Sequence, residues 1–145
     1  MKFKYSAHLD KIENCPNSEC MHRNLYAYRW GHDNFSGKDF EPLSLETPPA
    51  QRILDNSDKH CMSYGLSFFE KEQQARDKFM KGYNVAKAHL KQGYIQKRGD
   101  KIAVVLITED DGVCSKSDLS GHFTLYEYIN INFDKRIENI FDIFQ

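Results

Sequence analysis

The run from Ile102 to Ile107 constrains the fold of this chain more than any other stretch. Its residues read Ile-Ala-Val-Val-Leu-Ile, without a polar or charged side chain among them. β-branched residues favour strands, and an unbroken apolar run favours a strand that is buried on both faces. The run is far too short to span a bilayer. It therefore predicts a buried β-strand, and with it a sheet at the centre of the fold.

Other stretches also carry β-strand patterns. In residues 24–30 aromatic side chains alternate with Leu, Ala and Arg, which predicts a central strand. Residues 122–129 alternate well enough to form another strand. Residues 94–97 and 101–108 flank a short segment that contains Gly99, and this arrangement predicts a tight hairpin.

Helix signals fill the middle of the chain. Thr47 is followed by two prolines, which predicts the capped start of a short helix. Ser67 and Glu70 have the spacing of a capping box, which predicts a helix that ends at Gly82. A second helix is predicted over residues 84–93.

The end of the chain has the clearest helical spacing. Its apolar residues recur at intervals of three and four: Phe133, Ile137, Ile140, Phe141 and Phe144. This spacing predicts an amphipathic helix whose apolar stripe packs on the sheet that contains Val104 and Leu106.

The order of these elements predicts the fold class. A strand is followed by helices, a hairpin, another strand and a last helix, which favours an α+β fold, a mostly antiparallel sheet with helices packed on one side. The chain has 145 residues, of which 40% are hydrophobic, enough for one hydrophobic core. We therefore predict a single globular domain over residues 1–145.

Charge and cysteine content narrow the partners and the compartment. Twenty Lys and Arg side chains balance 21 Asp and Glu for a net charge of -1, so nucleic acid is not the expected partner. No apolar run suits a membrane span or a secretion signal. We predict a cytoplasmic protein whose four cysteines are thiols. Its ligand is a protein or a small molecule that the sequence does not identify.

A cluster near the start of the chain has zinc-binding residue types. Cys15 and Cys20 are followed by His22, and thiolates with imidazole are typical zinc ligands. The candidates for a fourth ligand are His8, His60 and Cys61. None of them stands at a diagnostic spacing from the other three, so the favoured interpretation is a turn with a semi-buried thiol and no metal.

Two histidines are candidate ligand-binding residues. His60 directly precedes Cys61, while His122 follows Cys114 and opens the predicted last strand. An imidazole beside a thiol can accept its proton, so a Cys–His hydrolase is one interpretation. No nucleophile motif such as Gly-x-Ser-x-Gly supports it. His60 and His122 are therefore kept as candidates for binding alone.

Arg29, Ser67 and Glu127 form a wider set of candidate catalytic residues. An arginine on an aromatic strand, a serine at a strand-to-helix junction and a glutamate on a late strand resemble, in this order, the ADP-ribosyltransferases. In that family such residues from successive strands hold NAD and stabilise the positive ribosyl centre as nicotinamide leaves. The resemblance implies that Arg29 holds the phosphates or ribose and that Glu127 faces the developing cation. Here the serine follows Gly-Leu rather than Ser-Thr, and Leu125 stands where the family has Glu or Gln.

Two hypotheses about function follow. No other set of polar residues has the spacing that a specific reaction demands, so we favour a binding or interaction module without catalysis of its own. The alternative is an NAD-dependent ADP-ribosyltransferase-like enzyme that uses Arg29, Ser67 and Glu127. No cofactor follows from the residues alone. The two hypotheses differ in whether these three side chains converge in one cleft.

Overall fold

The computed structural model describes residues 2–144, and over these residues the strands form one antiparallel sheet. The strands are β1 (Leu25–Gly31), β2 (Leu66–Phe69), β3 (Lys101–Ile107), β4 (Gly112–Cys114), β5 (His122–Glu127) and β6 (Ile137–Asp142). The strands predicted over 24–30, 102–107 and 122–129 are confirmed as β1, β3 and β5. The short strand β4 lies in a stretch that carries no strand signal.

Helices occupy most of the chain between the strands. They are α1 (Ser6–Leu9), α2 (Leu43–Glu46), α3 (Gln51–Leu54), α4 (Ser57–Met62), α5 (Glu72–Val85) and α6 (Lys91–Arg98), with 3-10 turns at Gly37–Phe40, Ala88–Leu90 and Phe133–Lys135. The α+β class and its antiparallel sheet are confirmed, whereas the packing of helices on one side stays a prediction. Within residues 2–144 no helix combines the length and apolar character needed to cross a membrane.

The strand order places β1 and β2 side by side at the centre of the sheet. The order is β4-β5-β2-β1-β3-β6. β1 pairs with β3 along its whole length, through seven residue pairs. In contrast, β1 pairs with β2 at one position, Tyr28 opposite Phe69. The sheet therefore consists of two three-stranded parts that are joined at a narrow seam.

Apolar side chains cover both faces of this sheet. Phe68 and Phe69 are consecutive in β2, so their side chains point to opposite faces. Phe68 packs in a buried cluster with Phe40 and Phe133, which come from the 3-10 turns. Phe69 packs in another cluster with Phe79 of α5. The loops and α5 together bury the centre of the sheet.

Helix α5 differs from the prediction at both ends. It begins at Glu72. Ser67, the predicted cap, lies within β2 instead. It continues past Gly82 to Val85. The ring of Tyr94 lies directly against Gly82, where any Cβ would collide with it, and the Tyr94 hydroxyl donates to the Phe79 carbonyl at 2.7 Å. Gly82 therefore permits close packing of α6 on α5 rather than ending a helix.

The predicted hairpin around Gly99 is wrong. Residues 94–97 belong to α6, which also contains Gly93, the predicted end of an earlier helix. Gly99 has a φ of 79° and ends α6, two residues before β3 begins. A left-handed glycine serves equally well at the end of a helix and in a tight turn, so the local signal does not separate the two.

The predicted C-terminal helix is wrong as well. After a 3-10 turn, residues 137–142 form β6, an edge strand in which Phe141 lies opposite Ile102 of β3. Ile137 and Phe141 are four residues apart, a spacing that places them on one face of a helix, but a register shift opposite Val104 and Val105 turns them to opposite faces of the sheet in β6. Pairing decides between helix and strand, because β6 supplies hydrogen-bond partners to the otherwise open edge of β3.

The prediction that all four cysteines are thiols is also wrong. Cys15 and Cys61 form a disulfide, with their Cα atoms 5.6 Å apart and a sequence separation of 46 residues. Cys20 and Cys114 are free. The bond joins the N-terminal segment to α4. Contacts over such a separation are set by the tertiary fold and leave no mark in local spacing.

Candidate functional site

The candidate site lies at the seam between β1 and β2. Past the pair of Tyr28 and Phe69, the two strands share no further residue pair within residues 2–144. The side chain of Arg29 bridges them instead. Its Nη1 donates to the Ser67 carbonyl at 2.8 Å, and its Nε donates to the Asp39 carbonyl at 2.7 Å. These two bonds fix the guanidinium where the backbone ladder stops.

A cavity of about 650 Å³ opens beside Arg29. This volume is in the range of small-molecule and cofactor sites. Its basic wall residues are Arg29, Lys38, Arg52, Lys78, Lys97 and Arg98, and its acidic ones are Asp39, Glu41, Glu46 and Asp118. Trp30 adds aromatic surface, and its ring is held by its bond to the Ala75 carbonyl at 2.8 Å. A chain with a net charge of -1 thus has a cavity in which cations predominate, which favours an anionic ligand.

Arg29 keeps its charge in this setting. The pKa of Arg29 is lowered to about 10, because burial lowers it by more than the carboxylates of Glu127, Asp39 and Glu46 raise it. The group is therefore a cation at neutral pH. Among residues 2–144, no hydrogen-bond partner is found for its Nη2. That nitrogen remains available to a phosphate or carboxylate.

Glu127 lies at the end of β5 and is 3% exposed. Its Oε2 is 3.1 Å from Nζ of Lys4, while its Oε1 is buried and has no hydrogen-bond partner among the described residues. Burial raises the pKa of Glu127, and the positive charges of Lys4 and Arg29 oppose that effect. A buried carboxylate with one unpartnered oxygen is costly to maintain, and such groups occur preferentially at functional sites.

Glu127 lines a second cavity, of about 350 Å³. Tyr5, Phe40 and Asn132 also line it. Glu41 lines both cavities, so the segment that follows the 3-10 turn at Gly37–Phe40 stands between them. The structure therefore brings Arg29 and Ser67 to one cavity and Glu127 to its neighbour.

The two candidate histidines have different positions. His122 lines the larger cavity, with its ring edge-on to Phe69 at 5.5 Å between centroids, and burial lowers the pKa of His122. His60 lies in α4 against Tyr64 and lines neither of the two cavities. His122 thus remains a candidate contact for a ligand in the larger cavity, and His60 lies outside it.

The structure adds residues that the sequence did not indicate. Lys4 contacts Glu127 from 123 positions away in the chain. His32 lines the larger cavity, where its Nδ1 is 2.7 Å from Asp39, and the hydrogen bond to Asp39 raises the pKa of His32. Neither residue belongs to a recognisable motif. Only the folded structure shows that the side chains of Lys4 and His32 lie beside a cavity.

Two residues of the possible zinc cluster, Cys15 and His22, are held in other interactions. Cys15 is in the disulfide, and the Nε2 atom of His22 is 2.7 Å from the Tyr128 hydroxyl. Within residues 2–144 no three His, Cys, Asp or Glu side chains are grouped so that they could hold a metal ion.

The larger cavity has a fixed cation and an aromatic wall, and its neighbour has a buried carboxylate with one unpartnered oxygen. These groups suit a ligand that carries phosphate at one end and a centre of positive charge at the other. Comparisons with protein-family models, with curated proteins and with solved structures find no match for this chain.

Proposed function

We propose that this protein is an NAD-dependent ADP-ribosyltransferase-like enzyme with its site at the seam between β1 and β2. The observation that carries the proposal is the placement of Arg29, Ser67 and Glu127 on the adjacent strands β1, β2 and β5, around two neighbouring cavities. Arg29 and Ser67 line one of these cavities and Glu127 lines the other, so the proposal requires one ligand to extend from the first cavity to the second.

Arg29 is the diphosphate-binding residue in this proposal. Its Nη2 is open, and further cations line the same cavity. A guanidinium binds phosphate oxygens through strong charge-assisted hydrogen bonds. The exposed Ser67 contributes through its carbonyl, which holds Nη1 of Arg29 and so orients the remaining donors. The half-buried Trp30 offers aromatic surface on which a flat ring can pack.

Glu127 is the electrostatic partner of the reacting centre. In the reaction the bond between ribose C1′ and the nicotinamide nitrogen breaks, and its electron pair leaves with neutral nicotinamide. The ribosyl centre becomes positive until an acceptor oxygen or nitrogen attacks it and loses a proton to solvent. A carboxylate in a site of low dielectric constant stabilises such a cation strongly. The proposal assigns this role to Oε1 of Glu127, which is buried and has no hydrogen-bond partner among the described residues.

A binding module without catalysis is the second candidate function. It is favoured by the low exposure of Glu127 and by the position of Glu41 between the two cavities. For turnover, the segment at residues 37–41 must move so that one ligand reaches both Arg29 and Glu127. A module that only binds an anionic ligand beside Arg29 needs no such motion.

Release of nicotinamide from NAD distinguishes these two functions. We expect release by the wild-type protein and a fall of about a hundredfold in Glu127→Gln, which removes charge and keeps shape. Glu138→Gln, an exposed change on β6, is the matched control. Arg29→Lys should weaken NAD binding about tenfold, with Arg76→Lys as control, because lysine lacks the planar fork. A thermal shift with NAD but no nicotinamide release would support the binding module instead.

A further inference from the structure

The N-terminal segment is bonded to the end of β5. The backbone N–H of Lys4 donates to the Glu127 carbonyl at 2.9 Å, and that of Ile129 donates to the Lys2 carbonyl at 2.9 Å. Phe3 bridges to Tyr128, with 5.3 Å between their ring centroids. These main-chain bonds do not depend on the side chain of Lys4. They place its Cβ at a fixed point beside Glu127.

The ammonium of Lys4 holds one side of the Glu127 carboxylate. Nζ is 3.1 Å from Oε2, and it also donates to the Ile131 carbonyl at 2.6 Å. With Oε2 engaged, the unpartnered Oε1 is the oxygen left to a ligand. Within residues 2–144, Lys4 is the one cation in direct contact with this carboxylate.

Other charged or titratable groups surround Glu127 without bonding to it. Arg29 acts on it from β1 and Asp111 from the loop before β4, with opposite signs. Tyr5 and Glu41 line the same cavity, and the charge of Glu127 contributes to raising the pKa of Tyr5. Asp111 and Glu41 are acidic and do not stabilise a second negative charge. Of the two cations near Glu127, Lys4 is in contact and Arg29 is not, so the charge of Glu127 depends chiefly on Lys4.

We propose that Lys4 is a positioning residue for Glu127: it fixes the carboxylate through Oε2, keeps it ionised in a buried site and leaves Oε1 to meet the positive ribosyl centre. The inference rests on the proposed function, because it assigns that centre as the ligand. Its physical basis is general. An ionised carboxylate that is 3% exposed requires a paired cation, and without one it takes up a proton. A neutral carboxyl no longer stabilises a cation.

Replacement of Lys4 should therefore change how activity depends on pH. In Lys4→Met the acid limb of the rate of nicotinamide release moves to higher pH, because Glu127 loses its proton less readily. Turnover at pH 7 is expected to fall about tenfold or more, with little change in KM for NAD. Lys4→Arg keeps the charge and should restore most of the rate. Lys2→Met removes an exposed lysine from the same segment and is the matched control.

A carbon-13 NMR titration of the Glu127 carboxyl, assigned with Glu127→Gln, tests the contact without reference to activity. In Lys4→Met, and in Lys4→Gln as a second neutral variant, the Glu127 titration should move to higher pH, whereas in Lys4→Arg and Lys2→Met it should match the wild type. An unmoved titration in both neutral variants would overturn the role of Lys4. A pH profile in Lys4→Arg as altered as that of Lys4→Met would also overturn it. Absence of nicotinamide release from the wild type would instead refute the proposed function, and the NMR result would still decide the Lys4 contact.

Discussion

Removal of the disulfide between Cys15 and Cys61 should lower the free energy of unfolding by about 4 kcal/mol. The bond joins residues 46 positions apart, and closing a loop of that length removes conformational entropy mainly from the unfolded chain. The loop-entropy relation gives roughly 4 kcal/mol at about 25 °C for this length. Domains of this size are stable by only about 5–15 kcal/mol, so the expected loss is a large share of the total.

The double variant Cys15→Ala with Cys61→Ala tests this expectation by urea denaturation. For a slope of about 2 kcal/mol per M, its midpoint should lie roughly 2 M below that of the wild type. Cys20→Ala removes a thiol outside the bond and should leave the midpoint nearly unchanged. An equal midpoint in the double variant would refute the loop-entropy reasoning.

Thiol titration of the unfolded wild-type protein tests the pairing itself. Protein purified without reductant should present two thiols, those of Cys20 and Cys114, and four after reduction. Four thiols before reduction would show that Cys15 and Cys61 are not joined.

Two further predictions concern stability. Glu127→Gln should raise the free energy of unfolding at neutral pH by about 1 kcal/mol, because the fold buries this charge and raises the pKa of Glu127. Between the unfolded and folded pKa values of Glu127 the native state binds more protons than the unfolded state, so the stability of the wild type falls as pH rises through that window. The variant should lack this fall. If urea denaturation gave the same pH dependence for both proteins, the argument would be contradicted. Phe79→Ala should cost about 4 kcal/mol, since Phe79 is 0% exposed and packs against Trp30 and Tyr94. The control in the same helix is Val85→Ala: Val85 is 81% exposed, so this change should alter stability by less than about 0.5 kcal/mol. Equal losses in the two variants would show that α5 is not packed as described.

The central strands could be predicted from sequence because their patterns reflect burial. The run at residues 102–107 has no polar side chain, and in β1 aromatic residues alternate with smaller ones, so each segment is compatible with few structures. The C-terminal stripe, in contrast, has the spacing of a helix, and in the strand that forms its residues are divided between the two faces of the sheet. Its structure is decided by the open edge of β3, which lies 30 or more residues earlier in the chain.

The candidate site could be predicted only in part, for a related reason. Residue type and chain order point to Arg29, Ser67 and Glu127, and the strand order places them on neighbouring strands. The contact of Lys4 with Glu127 and the disulfide of Cys15 with Cys61 join positions that are distant in sequence. Such pairs depend on how the N-terminal segment is laid over the sheet, and no local pattern encodes that.

The narrow seam between β1 and β2 links ligand binding to the integrity of the sheet. With one residue pair between these strands, separating them breaks little of the backbone ladder. The guanidinium of Arg29 helps to hold the two strands together, because its hydrogen bond to the Ser67 carbonyl crosses the seam. A phosphate that draws the guanidinium away from Ser67 breaks this hydrogen bond, whereas a phosphate that binds Nη2 alone leaves it intact. Amide hydrogen exchange in β2 would therefore report the occupancy of the cavity beside Arg29, even in a protein that performs no chemistry on its ligand.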